Sequence, residues 1–468
     1  MAEPLFRGLE PGEMFLSGYI GPRPTYVRNG EVVWQPYEDG TVFQELKDAG
    51  LNYMVDELNF AGSTYEYAQK ALEYSEEVDL MYFIAAYDVM RVSNQTMGTD
   101  EEIKAKLQQL YQYDSFGGLF LIDEPSATSY PFIKECIDKL NQIEGELGYE
   151  NLNPHVNLLP PNVGAERLSG VPGESISWED YIRGLSYTGI KYLSFDMYPI
   201  YGLFTNKVMP NWFTALGTMN RVAIEEGKPW MGCVQVGGGS WAYLTPEQRV
   251  TTEGELKWDV NTMLAFGAKG LIYYLTVSPP FWADKEGAEE QKNQHSLINV
   301  YGEKTEFYDY VKEINEHIHA MDHVLMNCDY QGIIITGESP CVHYGKDLIK
   351  TNTFRGLSDV TGNAMVGCFD YNGKTALFVV NNSTIKEGRI TLSFDSGYHF
   401  EVFQNAASRK ETGESLTLDL GIGESALIVL ESRDMTTTVL ICTGVAILCI
   451  AMAVIIVVVR KHKNKRES

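Results

Sequence analysis

The chain reads as an α/β protein: a (β/α)8 TIM barrel, then a small antiparallel β-sandwich, then one C-terminal transmembrane helix. Three observations predict this. Eight short apolar runs alternate with longer amphipathic stretches over residues 14–322. Beyond 322 the pattern changes to short strands of alternating polarity separated by turns. Near the end, Val439 to Val459 carries neither charge nor proline.

The barrel strands, in order, are MFLSGYI (14–20), LNYMVDEL (51–58), LMYFIAAY (80–87), GLFLID (118–123), HVNLL (155–159), YLSFDMY (192–198), WMGCVQV (230–236) and GLIYYLTV (270–277). Between them lie helical patterns such as EEIKAKLQQLYQY, SYPFIKECIDKLNQI, TEGELKWDVNTMLAFG and TEFYDYVKEINEHIHAM. Strands alternating with helices build βαβ units and a parallel sheet. Eight units in about 300 residues match a closed barrel. A doubly wound open sheet is the rival, but GVPGES and VGGGS lack the spacing and the lysine of a phosphate loop.

The second unit, 323–431, contains GIIITG, MVGCFDYN, TALFVVNN, GRITLSF, YHFEVFQ, SLTLDL and SALIVLE, which read as a sandwich. A linker, 432–438, leads to the apolar run. At 1.5 Å per residue, 439–459 reaches about 30 Å, enough to cross a bilayer. The tail 460–468 is basic and marks the cytoplasmic side. The expected location is therefore the cell membrane, single-pass, with the large acidic part outside the cell. MAEPLFRGLEPGEMF lacks the basic and apolar regions of a secretory signal, so the expectation is that one was removed. SRDMTTT before the run is not a cell-wall sorting motif.

Composition narrows the partners. Of 468 residues, 63 are acidic and 37 basic, for a formal charge of −26, which argues against nucleic acid. Aromatics make up 12%, with 28 Tyr and 7 Trp, which suits a cleft with flat walls. Outside the apolar run stand Cys136, Cys233, Cys328, Cys341 and Cys368, an odd number without CxxC spacing. They indicate neither a metal site nor a disulfide framework. No cofactor or metal is expected.

Function in such a barrel gathers at the C-terminal ends of the strands. Those ends carry Tyr19 and Arg23, then Asp56, Glu57 and Asn59, then Asp88, Asp123 and Glu124, Asn157, Asp196 and Tyr198, Gln235, and Tyr274 and Thr276. Trp241 and Trp282 follow in the last two loops. Carboxylates, amides, phenols and flat rings are what a sugar needs for its hydroxyls and its C–H faces. Some of these have plainer uses: Asp56 and Glu57 as helix caps, Asp88 as a loop residue, the tryptophans as rim packing.

FGGLFLIDEPS (116–126) is the sharpest signal. Consecutive strand residues point to opposite faces, so a regular strand could not aim both Asp123 and Glu124 into one pocket. Past the last strand pairing the chain is free to turn, and Pro125 biases Glu124 to an extended backbone. An acid pressed against another carboxylate and partly desolvated has the raised pKa of a general acid. Glycoside hydrolysis needs a nucleophile as well. Yet strand seven, WMGCVQVGGGSW, holds no acid, with Gln235 where one would stand. Either Asp196 or Glu57 serves as the second carboxylate, or the site is catalytically silent, or the substrate supplies its own nucleophile through a 2-acetamido oxygen.

FLIDEP resembles the Asp-Glu-Pro signature after strand four of barrel glycosidases of the β-N-acetylhexosaminidase type, notably β-N-acetylgalactosaminidases. The resemblance implies that Asp123 orients the acetamide, that Glu124 is the acid/base, and that a tyrosine, Tyr198 or Tyr274, bonds the acetamide oxygen. More broadly, 14–430 resembles a glycosidase barrel with its C-terminal β-sandwich, with SFDMYP, GAKGLIYY and GIGESALIVLES among the shared segments. The expected protein is a membrane-anchored glycoside hydrolase acting on β-linked, N-acetylhexosamine-containing glycans with retention. Its expected catalytic residues are Glu124, Asp123 and Tyr198. Its expected substrate-binding residues are Asp196, Tyr274, Gln235, Asn157, Trp241, Trp282, Glu57 and Tyr19. A β-galactosidase-like or β-glucosidase-like hydrolase with a separate carboxylate nucleophile is one alternative; a glycan-binding surface protein without catalysis is another.

Overall fold

The computed structural model describes residues 4–28, 30–201, 208–237, 251–278 and 296–433. Trp241, Trp282 and the apolar run 439–459 lie outside the described residues. Among the described residues no helix is long and apolar enough to cross a membrane.

Eight parallel strands form the first unit: β1 (Phe15–Tyr19), β2 (Tyr53–Asn59), β3 (Met81–Ala85), β4 (Phe116–Asp123), β5 (His155–Asn157), β6 (Leu193–Asp196), β7 (Trp230–Gln235) and β8 (Gly270–Tyr274). They pair in chain order, and β8 returns to β1, as Phe15 opposite Gly270 shows. The remaining gap closes through a parallel bridge between Leu158 and Phe195, with Leu158 N–H donating to Ser194 O at 2.8 Å. The cylinder is closed, as eight strand–helix units predict.

Side-chain alternation fills the cylinder. Phe15, Tyr53, Phe83, Phe120, Tyr192, Met231 and Ile272 make one buried cluster inside it. Phe6, ahead of β1, enters the same cluster from below, with its ring 4.5 Å from Phe15 and 4.8 Å from Tyr192. The outward residues pack under the helices. Two of these helices begin with capping boxes, Thr99 with Glu102 and Thr252 with Glu255, where each side chain satisfies a backbone N–H of the other.

The second unit holds seven antiparallel strands: β9 (Cys328–Ile335), β10 (Leu357–Thr361), β11 (Ala364–Tyr371), β12 (Lys374–Asn381), β13 (Gly388–Gln404), β14 (Ala407–Leu420) and β15 (Ser425–Arg433). Two expectations change here. GRITLSF and YHFEVFQ are halves of one long strand, β13, with a register shift between Ser393 and Tyr398. Its first half pairs with β10 and its second with β15, so one ribbon serves both sides of the fold. β10 itself, LSDVT, has too few buried positions to show in the sequence.

The sandwich buries both faces of its central strands. Val366, Cys368, Leu377, Val379 and Ile428 face its own core. Met365, Phe378, Val380 and Leu427 join the core of the barrel. The helix Glu253–Ala265 lies between the two units and is buried almost throughout, although its pattern reads as amphipathic. Its polar groups are taken up across the seam: Trp258 Nε1 donates to Asn382 Oδ1 at 3.1 Å, and Asn261 Nδ2 to Gly423 O at 2.9 Å.

Gly423 makes that approach possible. It has φ +67°, and a Cβ there would lie 2.2 Å from Gly254 O and 2.5 Å from Trp258 N. Both obstacles are backbone and cannot swing aside. Gly423→Ala is expected to cost about 2–4 kcal/mol, from left-handed strain plus overpacking. Urea denaturation of the two proteins measures it, and an unchanged midpoint would refute the close contact.

Candidate active site

Asp123 is aimed inward by a bulge. In the pairing of β4 with β5, Phe120 faces His155 but Asp123 faces Asn157, so three residues of β4 match two of β5. The extra residue switches the face on which Asp123 points, a common use of bulges beside functional sites. Asp123 is thus still paired in the strand rather than beyond it. Glu124 follows with φ +48°, while its N–H donates to Asn157 O at 2.9 Å. The expectation that Pro125 holds Glu124 extended is therefore incorrect. The left-handed turn keeps Glu124 on the pocket side, where an extended residue would point away. A non-glycine residue in this region is strained, and the anchored N–H holds it there.

Asn157 is the hub. Its Nδ2 lies 3.2 Å from Asp123 Oδ1 and 3.3 Å from Asp196 Oδ1, donating to both. Its Oδ1 accepts from Ser194 Oγ at 2.9 Å, which sets the direction of the amide. Asp196 and Glu124 are near enough that each carboxyl alters the other's ionisation. Three carboxyl groups and one amide thus form a connected set at the ends of β4, β5 and β6.

Three such carboxyls cannot all be charged cheaply. Burial, then the neighbouring Glu124 charge, pushes Asp123 up to about 6, against the Asn157 bond and the nearby Tyr19 hydroxyl. Burial raises Glu124, while the Arg167 guanidinium and the neighbouring Asp196 side chain work in the opposite direction. Asp196 rises well above the carboxylate range through burial and the charges of Glu124 and Asp123. All three carboxyl groups are therefore displaced toward their protonated forms, Asp196 most of all.

An aromatic arc stands beside the acids. Tyr274 is 5.3 Å from Tyr198 and 5.9 Å from Tyr19, centroid to centroid. All three phenols are raised above their ordinary value by burial, then by nearby carboxylates, so they stay protonated as donors. The Tyr19 hydroxyl favours the ionised form of Asp123 but meets no partner in hydrogen-bonding geometry. Glu57 projects at the rim, and its carboxyl is raised by partial burial and by Asp123.

One residue of the expected set, and two other strand-end acids, have their polar atoms committed elsewhere. Gln235 is 1% exposed, with Nε2 donating to Ile200 O at 3.0 Å and Oε1 accepting from Ile200 N–H at 2.9 Å. It braces the segment after β6, with both ends of its amide engaged by the Ile200 backbone. Asp56 is no helix cap: it accepts from Arg23 Nη1 at 2.7 Å, Gly21 N–H at 2.8 Å and Tyr82 Oη at 3.0 Å. Asp88 pairs with Lys106 at 2.9 Å on the helix flank.

Sequence reasoning missed Cys233, Tyr87 and Arg167. Cys233 donates to Asn157 Oδ1 at 3.6 Å from the wall. Its inward place followed from alternation along β7. Tyr87 ends the third strand pattern, and its phenol senses Glu57 and Asp123. Arg167, on the short helix Ala165–Ser169, has Nη2 3.5 Å from Glu124 O; no local pattern announces it.

No protein-family model and no curated protein matches the chain. Solved structures do. A β-galactosidase from Bacillus circulans sp. alkalophilus is similar at TM-score 0.55 and 9% identity, over 90% of this chain and 99% of the other. A catalytic mutant of Gan42B, a GH42 β-galactosidase from G. stearothermophilus, is similar at TM-score 0.55 and 9% identity, over 92% and 99%. At such identity the likeness is one of fold, that of a TIM-barrel glycoside hydrolase.

Asp123 makes stability depend on pH. Its folded pKa, about 6, lies above the ordinary 3.8, so its stabilising contribution is complete below about 3.8 and is lost as pH rises through 6. Asp123→Asn is therefore expected to be more stable than the parent at pH 7.5, by about 2 kcal/mol. The advantage should shrink to nothing near pH 4. Thermal unfolding at the two pH values tests this; a variant less stable at pH 7.5 would contradict it.

Proposed function

We propose that the protein is a retaining β-glycosidase that cleaves β-linked N-acetylhexosamine by substrate assistance. The observation that carries this reading is the aim of Asp123 and Glu124 into one mouth, by a bulge and a left-handed turn, while β7 ends in an amide bound to backbone. An arrangement of two adjacent acids and no opposed carboxylate at β7 suits a substrate that brings its own nucleophile.

In this reading Glu124 protonates the glycosidic oxygen as the C1–O bond breaks. The acetamide oxygen attacks C1 from the opposite face and closes an oxazoline. Asp123 accepts the acetamide N–H and stabilises the positive charge that develops there. Tyr198, or Tyr274 beside it, donates to the acetamide oxygen. Water then loses a proton to Glu124 and opens the oxazoline at C1, so configuration is retained. Asp196 beside Glu124 favours keeping a proton at this end of the site, and Asn157 keeps Asp196 and Asp123 in register.

Asp196 suits the role of a carboxylate nucleophile poorly. A retaining nucleophile faces the acid across the sugar, about 5–5.5 Å away, whereas Asp196 is held by the Asn157 amide at 3.3 Å and is raised by burial well above the carboxylate range, so it is poorly disposed to act as an anion. Glu57 is the remaining candidate for that alternative chemistry. The apolar run 439–459 with its basic tail supports a site displayed outside the cell on a single membrane anchor.

Aryl glycosides with and without the 2-acetamido group decide between these readings. The expected result is turnover of the acetamido substrate alone and inhibition by a thiazoline. Glu124→Gln and Asp123→Asn should each lower kcat by roughly 10²–10⁴, with the Glu124 loss larger on poor leaving groups. The acid limb of the pH profile, near 6 in the parent, should vanish in Asp123→Asn. Turnover of substrates without the acetamide, or trapping of Glu57 by a 2-fluoro sugar, would replace substrate assistance with a carboxylate nucleophile. Binding without release of reducing ends would leave a glycan-binding protein.

A further inference from the structure

The mouth is acidic, in an acidic protein, yet two arginines stand at its rim. Arg167 reaches Glu124 O at 3.5 Å from the helix after β5. Arg91 lies over the Tyr87 ring at 5.1 Å, in the short hairpin after β3. Both are exposed. Among the described residues neither makes an ion pair with a carboxylate within 4 Å, although the Arg167 charge is felt by Glu124, whereas every other arginine with a described side chain does. With 63 acidic residues against 37 basic, an arginine without a close carboxylate partner is the exception among the described residues. The two exceptions both fall beside the acids.

We propose that Arg167 and Arg91 read negative charge on the glycan, so that the preferred substrate carries a sulfate or carboxylate group on a sugar flanking the cleaved bond. The inference rests on the placement of the glycosidic oxygen at Glu124. Arg167 adjoins that residue, and therefore meets the sugar on the leaving side. A guanidinium offers two parallel N–H donors, which match the oxygens of a sulfate or carboxylate. Arg91 lies over Tyr87, a phenol that senses both Arg91 and Glu57, after β3 rather than β5. Two fixed cations among carboxylates also counter the repulsion that an anionic substrate would otherwise meet at an acidic cleft.

Binding tests this without relying on turnover. The full chain carrying Glu124→Gln is titrated with three matched disaccharides: a neutral one, a 6-sulfated one and one bearing a uronate carboxylate. The anionic sugars are expected to bind about tenfold more tightly at low salt, the advantage fading as ionic strength rises past the point where the screening length is about 3 Å. Arg167→Ala should remove most of the advantage for a charge on the leaving-side sugar, and Arg167→Lys should restore only part. Arg91→Ala should act on a charge on the other sugar. The sulfate and carboxylate arms identify which group is read. Equal affinity for neutral and anionic sugars would overturn the proposal, as would a preference that survives both alanine variants. If the parent cleaves neutral N-acetylhexosaminides but shows no anionic preference, the rim falls and the acids stand. If it cleaves nothing yet binds anionic sugars through these arginines, the rim stands and the hydrolytic reading falls.

Discussion

A single amide keeps the mouth of this barrel in order. Asn157 donates to two carboxyl groups at once, and its own oxygen is held by Ser194. Without a donor between them, Asp123 and Asp196 would repel. Two unit charges 4 Å apart near a protein surface interact by about 4 kcal/mol, which is a large share of a domain's net stability. The amide offsets part of that, and a retained proton offsets the rest. The protonation state of the site therefore follows from a bond made on the strand beside it.

The backbone around that amide is irregular where the chemistry needs it and regular elsewhere. The bulge in β4 and the left-handed Glu124 occupy four consecutive residues, while the strand below them packs normally into the barrel interior. Strain of this kind persists only when its surroundings over-determine it. Here the surroundings are Asn157 O on the Glu124 N–H and the Tyr181 hydroxyl on Pro125 O at 2.5 Å. Gln235 and Asp56 play the same part for the neighbouring loops, each spending its polar atoms on backbone or on Arg23. Residues that look like substrate contacts from their strand position are thus divided between the site and its supports.

The sandwich contributes stability from the side. Its central strands are apolar on both faces because one face meets its own core and the other meets the barrel. The helix Glu253–Ala265 loses its solvent face in consequence, and its Asp259 lies fully buried with one oxygen on the Gln235 N–H at 3.0 Å. A path of contacts runs from the sandwich through this helix to the end of β7, at the edge of the mouth.

The local pattern of the chain was enough for the order and number of the barrel strands, since each is a short apolar run bounded by turn residues and paired with its neighbour in sequence. It was enough, too, to place Tyr19, Glu57, Asp123, Glu124, Asn157, Asp196, Tyr198 and Tyr274 at one rim, because strand ends in a closed parallel barrel meet there. What it could not determine was direction. Alternation breaks at a bulge, so which way Asp123 points depended on its pairing with β5, more than thirty residues away in the chain. Whether a polar side chain reads a ligand or holds a loop is likewise a matter of its partner: Gln235 found Ile200, Asp56 found Arg23, and Arg167 found Glu124, all through contacts that sequence spacing does not encode. Local sequence sets which groups reach the mouth; long-range pairing alone decides which of them are left free to act.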